Sequence, residues 1–166
     1  MVTVELSWDY NPKKGVFDVD LAALLFDKDG KLTPDECVYY AKPKLKGIEL
    51  VKDSQTGIGD GPDEELHIDP LHLPTDVATI VIVATIKDGR MKQQHLSDLE
   101  NAKIIVRSQD QEEQVEVISL DLTNTGGLNT TAEFVKLTPN GNQFAIETLN
   151  IFSQDTLSIL RSKYRK

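Results

Sequence analysis

Two short stretches of this 166-residue chain hold the residues best suited to chemistry. Residues 53–65 read DSQTGIGDGPDEE, with five carboxylates, glycines at 57, 59 and 61, and no lysine or arginine. Residues 17–21 read FDVDL, which places Asp18 and Asp20 two apart on an extended segment, where they share one face. Carboxylates crowded in this way repel one another unless a cation joins them. Hard divalent cations take oxygen ligands, and calcium accepts about six to eight of them, backbone carbonyls included. Asp53, Asp60, Asp63, Glu64 and Glu65 supply loop carboxylates, and Asp18 and Asp20 on the strand would complete an oxygen cage beside them. Composition alone leaves a solvated acidic loop as the competing reading.

Two other readings of the loop fail on position. Asp53 and Glu64 are spaced like the first and twelfth residues of an EF-hand loop, but Gln55, Gly57 and Ile58 occupy its third, fifth and sixth places. In GIGDGP the third glycine of a dinucleotide fingerprint is replaced by Pro62, and no strand-to-helix context follows. Catalytic alternatives are also poorly supplied. The three histidines lack zinc-site spacing, and no nucleophile elbow or phosphate-binding loop is present. A metal-dependent hydrolase would need an activated water and a base that these residues do not provide. DKDGK at 27–31 reads as a hairpin turn, and Cys37 as a buried thiol.

The elements that must position these groups read as strands. Apolar alternation in Val2, Val4 and Leu6 predicts a strand, as do Val16–Phe26, Cys37–Tyr40, Ile48–Val51 and Glu65–Ile68. Ile80–Ile86, Lys103–Arg107, Val115–Leu120, Glu133–Leu137 and Gln143–Leu149 continue the series, separated by Gly, Pro, Asn and Asp clusters. This is the pattern of an all-β antiparallel sandwich. IVIVATI, apolar almost throughout, predicts a central strand covered on both faces. One or two short helices are expected, within 91–102 and 153–164, the second capped by Ser153 or Asp155. No repeat or composition break divides residues 1–166, so a single domain is expected.

A net charge of −9 argues against nucleic acid as a partner. No apolar run reaches the ~20 residues of a membrane span, and no leader-like segment opens the chain, so a cytoplasmic location is expected. The basic end RSKYRK reads as a solvated helix terminus, with a peripheral contact to an acidic partner or membrane surface as the alternative.

The order LSWDYNPKKGVFDVDLAALLFDKDGKL, DSQTGIGDGPDEELHID and LPTDVATIVIVATIKD resembles the TerD family of tellurium-resistance and stress-response proteins. The resemblance covers about residues 4–120 well. It implies a non-enzymatic, Ca2+-binding β-sandwich that acts as an interaction scaffold with protein partners of a stress-response system. It also implies that the ion is held by Asp18, Asp20, Asp53, Asp60, Asp63 and Glu64, with Asp88, at the end of IVIVATIKD, as a more peripheral candidate. Pro62 stands where the family pattern has an acidic residue, and Ser54 where it has Asn, so one ion is expected, with a second as an open alternative. The chain also begins near the W-D segment, without a first strand usual in the family. A Ca2+-bridged phospholipid- or nucleotide-binding sandwich is the alternative function.

Overall fold

The alternating segments pair into two antiparallel sheets in the computed structural model, which describes all residues except 60, 111, 112 and 166. The strands are β1 (Val2–Asp9), β2 (Val19–Phe26), β3 (Leu32–Val38), β4 (Lys44–Leu45), β5 (Ile48–Asp53) and β6 (Glu64–Ile68). They continue as β7 (Thr79–Ile86), β8 (Glu100–Asp110), β9 (Glu113–Asp121), β10 (Thr131–Asn140) and β11 (Gln143–Ser153). One sheet has the order β4-β5-β6-β1-β8-β9 and the other β11-β10-β7-β2-β3. Between them lies the main core, to which Leu6, Leu66 and Ile104 contribute from one sheet and Leu21, Ile82 and Phe134 from the other.

β2 and β7 are largely apolar on both faces, and both faces are covered. Leu21, Ala23 and Leu25 point into the sandwich. Ala22, Leu24 and Phe26 point outward, where with Val81 and Val83 they meet Leu160 of a C-terminal helix. IVIVATI is thus the centre of its sheet, between β10 and β2. The DKDGK turn also forms, with the Asp27 N–H donating to Lys31 O and Gly30 in the left-handed region.

Among the described residues, three short helices appear: α1 (Gly89–Lys92), α2 (Leu122–Thr125) and α3 (Leu157–Tyr164). The segment 91–102 holds only the end of α1 and a 3-10 turn at Leu96–Asp98 before β8 begins. α2 arises in the TNTGG region expected to be loop, because the Asp121 side chain accepts from Asn124 N and caps a turn there. α3 is capped by Thr156, whose Oγ1 accepts from Ile159 N, and not by Ser153 or Asp155. The Asp155 carbonyl instead accepts from the Thr131 hydroxyl at 2.5 Å. β3 starts earlier than Cys37 and ends at Val38.

The end of the chain is latched rather than free. Arg161 Nη2 meets Glu36 Oε1 at 2.9 Å and Arg161 Nη1 donates to the Tyr39 hydroxyl at 3.0 Å. Arg165 also donates to both oxygens of Glu36, and the Tyr164 hydroxyl donates to Glu133. Cys37 is buried as expected, and burial pushes its thiol up to about 12.

Candidate metal centre

The site forms where β2 lacks a neighbour. β2 pairs with β7 along its full length, but its pairing with β3 begins only at Ala23 opposite Val38. The backbone of Val19–Ala22 would therefore be bare on that side. Residue 64, the first of β6 in the other sheet, fills the gap: Glu64 Oε2 accepts from the Leu21 N–H at 2.7 Å. Glu64 is on the inward face because it keeps step with Leu66 and Ile68, both in the core. A carboxylate at that position is carried into the sandwich with them and is fully buried.

Asp18 and Asp20 meet Glu64 there. One carboxylate oxygen from each of the three lies within 4.8 Å of the other two. Two oxygens on opposite sides of a calcium ion, at about 2.4 Å each, are separated by about that distance, so one ion can touch all three. Two of the oxygens, Asp18 Oδ1 and Glu64 Oε1, are buried without a hydrogen-bond partner. Buried polar atoms normally find partners, so orphaned carboxylate oxygens at the centre of an all-oxygen donor set fit a hard cation.

The electrostatics point the same way. Burial first, and then the adjacent Asp53 and Asp20 carboxylates, push Glu64 up to about 11. Asp53 is the cross-strand neighbour of Glu64 in the β5–β6 pair, which places it at the rim of the cluster. Burial, then the adjacent Asp18 charge, pushes Asp20 up to about 8, and burial raises Asp18 as well. Lys87 and Lys92 oppose the shift at Asp18, but do not overcome it. Burial and mutual repulsion thus favour the protonated forms of Asp20 and Glu64 when no cation is present.

The other candidates have different places. Asp63 faces β1, where its Oδ2 accepts from the Trp8 N–H at 2.8 Å and its own N–H donates to Leu6 O at 2.9 Å. It fastens the loop to β1 and does not join the three converging carboxylates. Asp60 lies outside the described residues. Asp88 is the N-cap residue of α1 in a left-handed conformation, and shares with Asp20, Lys87 and Tyr40 a cavity of about 280 Å3. The histidines each sit beside an acid of their own segment: His67 by Glu65, His72 by Asp69 and His95 by Asp98.

Trp8 and Gly57 hold the loop in a way that residue chemistry did not announce. Gly57 has φ +77° and its Cα lies against the Trp8 indole, so a Cβ there would come within 2.2 Å of Nε1. Ser54 Oγ accepts from the Gly57 N–H at 3.1 Å and tightens the same turn. The W-D segment and the glycine loop are thus one packed unit.

Known proteins resemble this chain over most of its length. The chain is 33% identical over 140 residues to the tellurium resistance protein TerD of an Alcaligenes species, covering 82% of this chain and 72% of that protein. It is 31% identical over 134 residues to general stress protein 16U of Bacillus subtilis, covering 78% of this chain and 68% of that one. A crystal structure of a TerD homologue from Streptomyces coelicolor superposes with a TM-score of 0.80 at 20% identity, over 96% of this chain and 94% of the other, which shows a common fold. No described helix is long and apolar enough to cross a membrane. The TerD domain matches residues 1–164, and the chain belongs to the TerD family, whose members include tellurium-resistance and general stress proteins.

Proposed function

We propose that this chain is a non-enzymatic calcium-binding module of the tellurium-resistance and stress-response type, with Asp18, Asp20 and Glu64 as ligands and Asp53 beside them. The convergence of three carboxylates from both sheets, two with orphaned buried oxygens, carries this reading. The donor set is all oxygen and supplied by the protein, which suits calcium better than magnesium, an ion that keeps several of its waters. A bound calcium ion supplies the positive charge that allows the carboxylates to ionise together. Glu64 then joins β6 to the unpaired end of β2, and Asp63 holds the preceding loop on β1. The ordered loop is the surface offered to protein partners in this reading. Asp63 is occupied by the Trp8 amide, which favours one ion over two.

Calorimetry with calcium and a thermal melt with and without chelator test the reading. Calcium should bind with measurable heat, raise Tm, and lose both effects in Glu64→Gln. Absence of heat and of a Tm shift in the native protein would overturn it.

A further inference from the structure

The sandwich is closed on one side and open on the other. On the closed side the edge strands are blunted: β3 carries Pro34, and β4 is two residues long within the lysine-rich stretch Lys42–Lys46. On the open side the edges are β9 and β11, the last strands of their sheets. They run nine and eleven residues, with no proline, lysine or arginine in either. Between them lies a groove of about 720 Å3, lined by Val115 and Val117 of β9 and by Phe144 and Ile146 of β11, with Val2 and Leu71 at its end. Val115 and Val117 are 50% and 49% exposed, although Phe144 and Ile146 opposite them pack partly on the main core. Long unpaired edges beside exposed valines are what soluble sandwiches usually avoid.

Charge defines what fits there. Among the described residues, β9 and β11 carry Glu116, Asp121 and Glu147 and no base. Glu116 and Glu147 each meet one exposed lysine of the neighbouring strand, at 3.7 and 3.8 Å, long contacts that an incoming cation can share. A second copy would bring acid against acid along these same edges.

We infer that the β9–β11 side takes an extended segment of a partner protein as an added strand, with apolar residues toward the groove at every second position and Lys or Arg at the alternate ones. Main-chain hydrogen bonds to a sheet edge supply affinity in this mode, and the alternate side chains supply specificity. The surface is separate from the carboxylate cluster, so the inference does not depend on calcium.

The probe is a capped ten-residue peptide of alternating Val and Lys, compared with one of alternating Val and Glu, added to the full chain with chelator present. The Val–Lys peptide should slow amide exchange in β9 or β11 at least tenfold at saturation, and the Val–Glu peptide should not. Val117→Lys and, separately, Val115→Lys replace half-exposed side chains, and each should weaken binding at least tenfold with an unchanged near-UV spectrum. No protection, protection elsewhere, equal protection by both peptides, or undiminished binding by both variants would overturn the inference. A concentration-dependent dimer in sedimentation that Val117→Lys dissociates would also overturn it, by assigning the groove to a second copy.

Discussion

Two carboxylates in this protein, Glu36 and Glu64, meet opposite fates. Glu36 is on β3 and faces the C-terminal helix, where Arg165 and Arg161 both donate to it. Arg165 first, and then Arg161, hold Glu36 down to about 2. Glu64, buried at the start of β6 among Asp18, Asp20 and Asp53, is pushed up to about 11. The difference is not burial alone. The chain supplies the counter-charge for Glu36 from its own helix, whereas at Glu64 it supplies more carboxylates. One site is complete as a fold contact. The other is completed by a cation or by protons, and that is what makes it the functional candidate.

The largest test of this contrast is Glu64→Gln. The amide mimics the protonated form, so the calcium-free protein should keep its Tm at pH 7 while the calcium-induced rise disappears. At a hundredfold excess of calcium over Kd the rise corresponds to about 2.7 kcal/mol in the native protein. A Glu64→Gln variant that still gains stability from calcium would break the assignment.

pH separates the two sites by sign. Without metal, the folded protein keeps protons on Asp20 up to about 8, while the unfolded chain releases them near the ordinary value of 3.8. The folded state then binds more protons, so stability should fall as pH rises from about 4 to about 8. Glu36 has the reverse sign: its contribution is present above its ordinary value of 4.5 and is lost as pH falls toward about 2. Saturating calcium should remove the decline between 4 and 8 and leave the acid limb. Melts across pH with chelator and with calcium check both limbs, and an unchanged decline in calcium would contradict the metal assignment.

Gly57→Ala tests whether the loop must sit on Trp8 for the site to form. Overpacking of this kind costs about 1–3 kcal/mol, since the new Cβ would lie 2.2 Å from the indole nitrogen. Calcium affinity should fall along with stability, and tryptophan fluorescence should shift red. A stable variant with native affinity would uncouple the loop packing from the site. The smallest effect is expected at the latch. Arg161→Ala should cost about 1 kcal/mol, because Arg165 still reaches Glu36. Its calcium titration should match that of the native protein.

Much of this site could be read from residue order. Asp18 and Asp20 on one strand face follow from period two, and Glu64 follows from its step with Leu66 and Ile68. The apolar run at 80–86 marked the centre of its sheet. Asp63 and Glu64 are adjacent in sequence and chemically alike, so composition placed both in the cage. Strand alternation turns them to opposite sides, one to the Trp8 amide and one to the triad. Asp53 reaches the rim through its register opposite Glu64, which is set by the β5–β6 pairing. The sequence offers Ser153, Asp155 and Thr156 as chemically similar caps for α3, and the helix that begins at Leu157 and buries Leu160 in the outer cluster uses Thr156.

The sequence by itself determined the strand pattern, the family, and the local excess of carboxylates, because periodicity and charge are local properties. Only the tertiary structure decided which carboxylates converge. That choice depends on where β3 stops pairing with β2, and on which inward residue of the other sheet arrives to satisfy the bare Leu21 amide. It also decided that Glu36 is neutralised by arginines 125 and 129 positions away, a contact that no spacing in the chain announces.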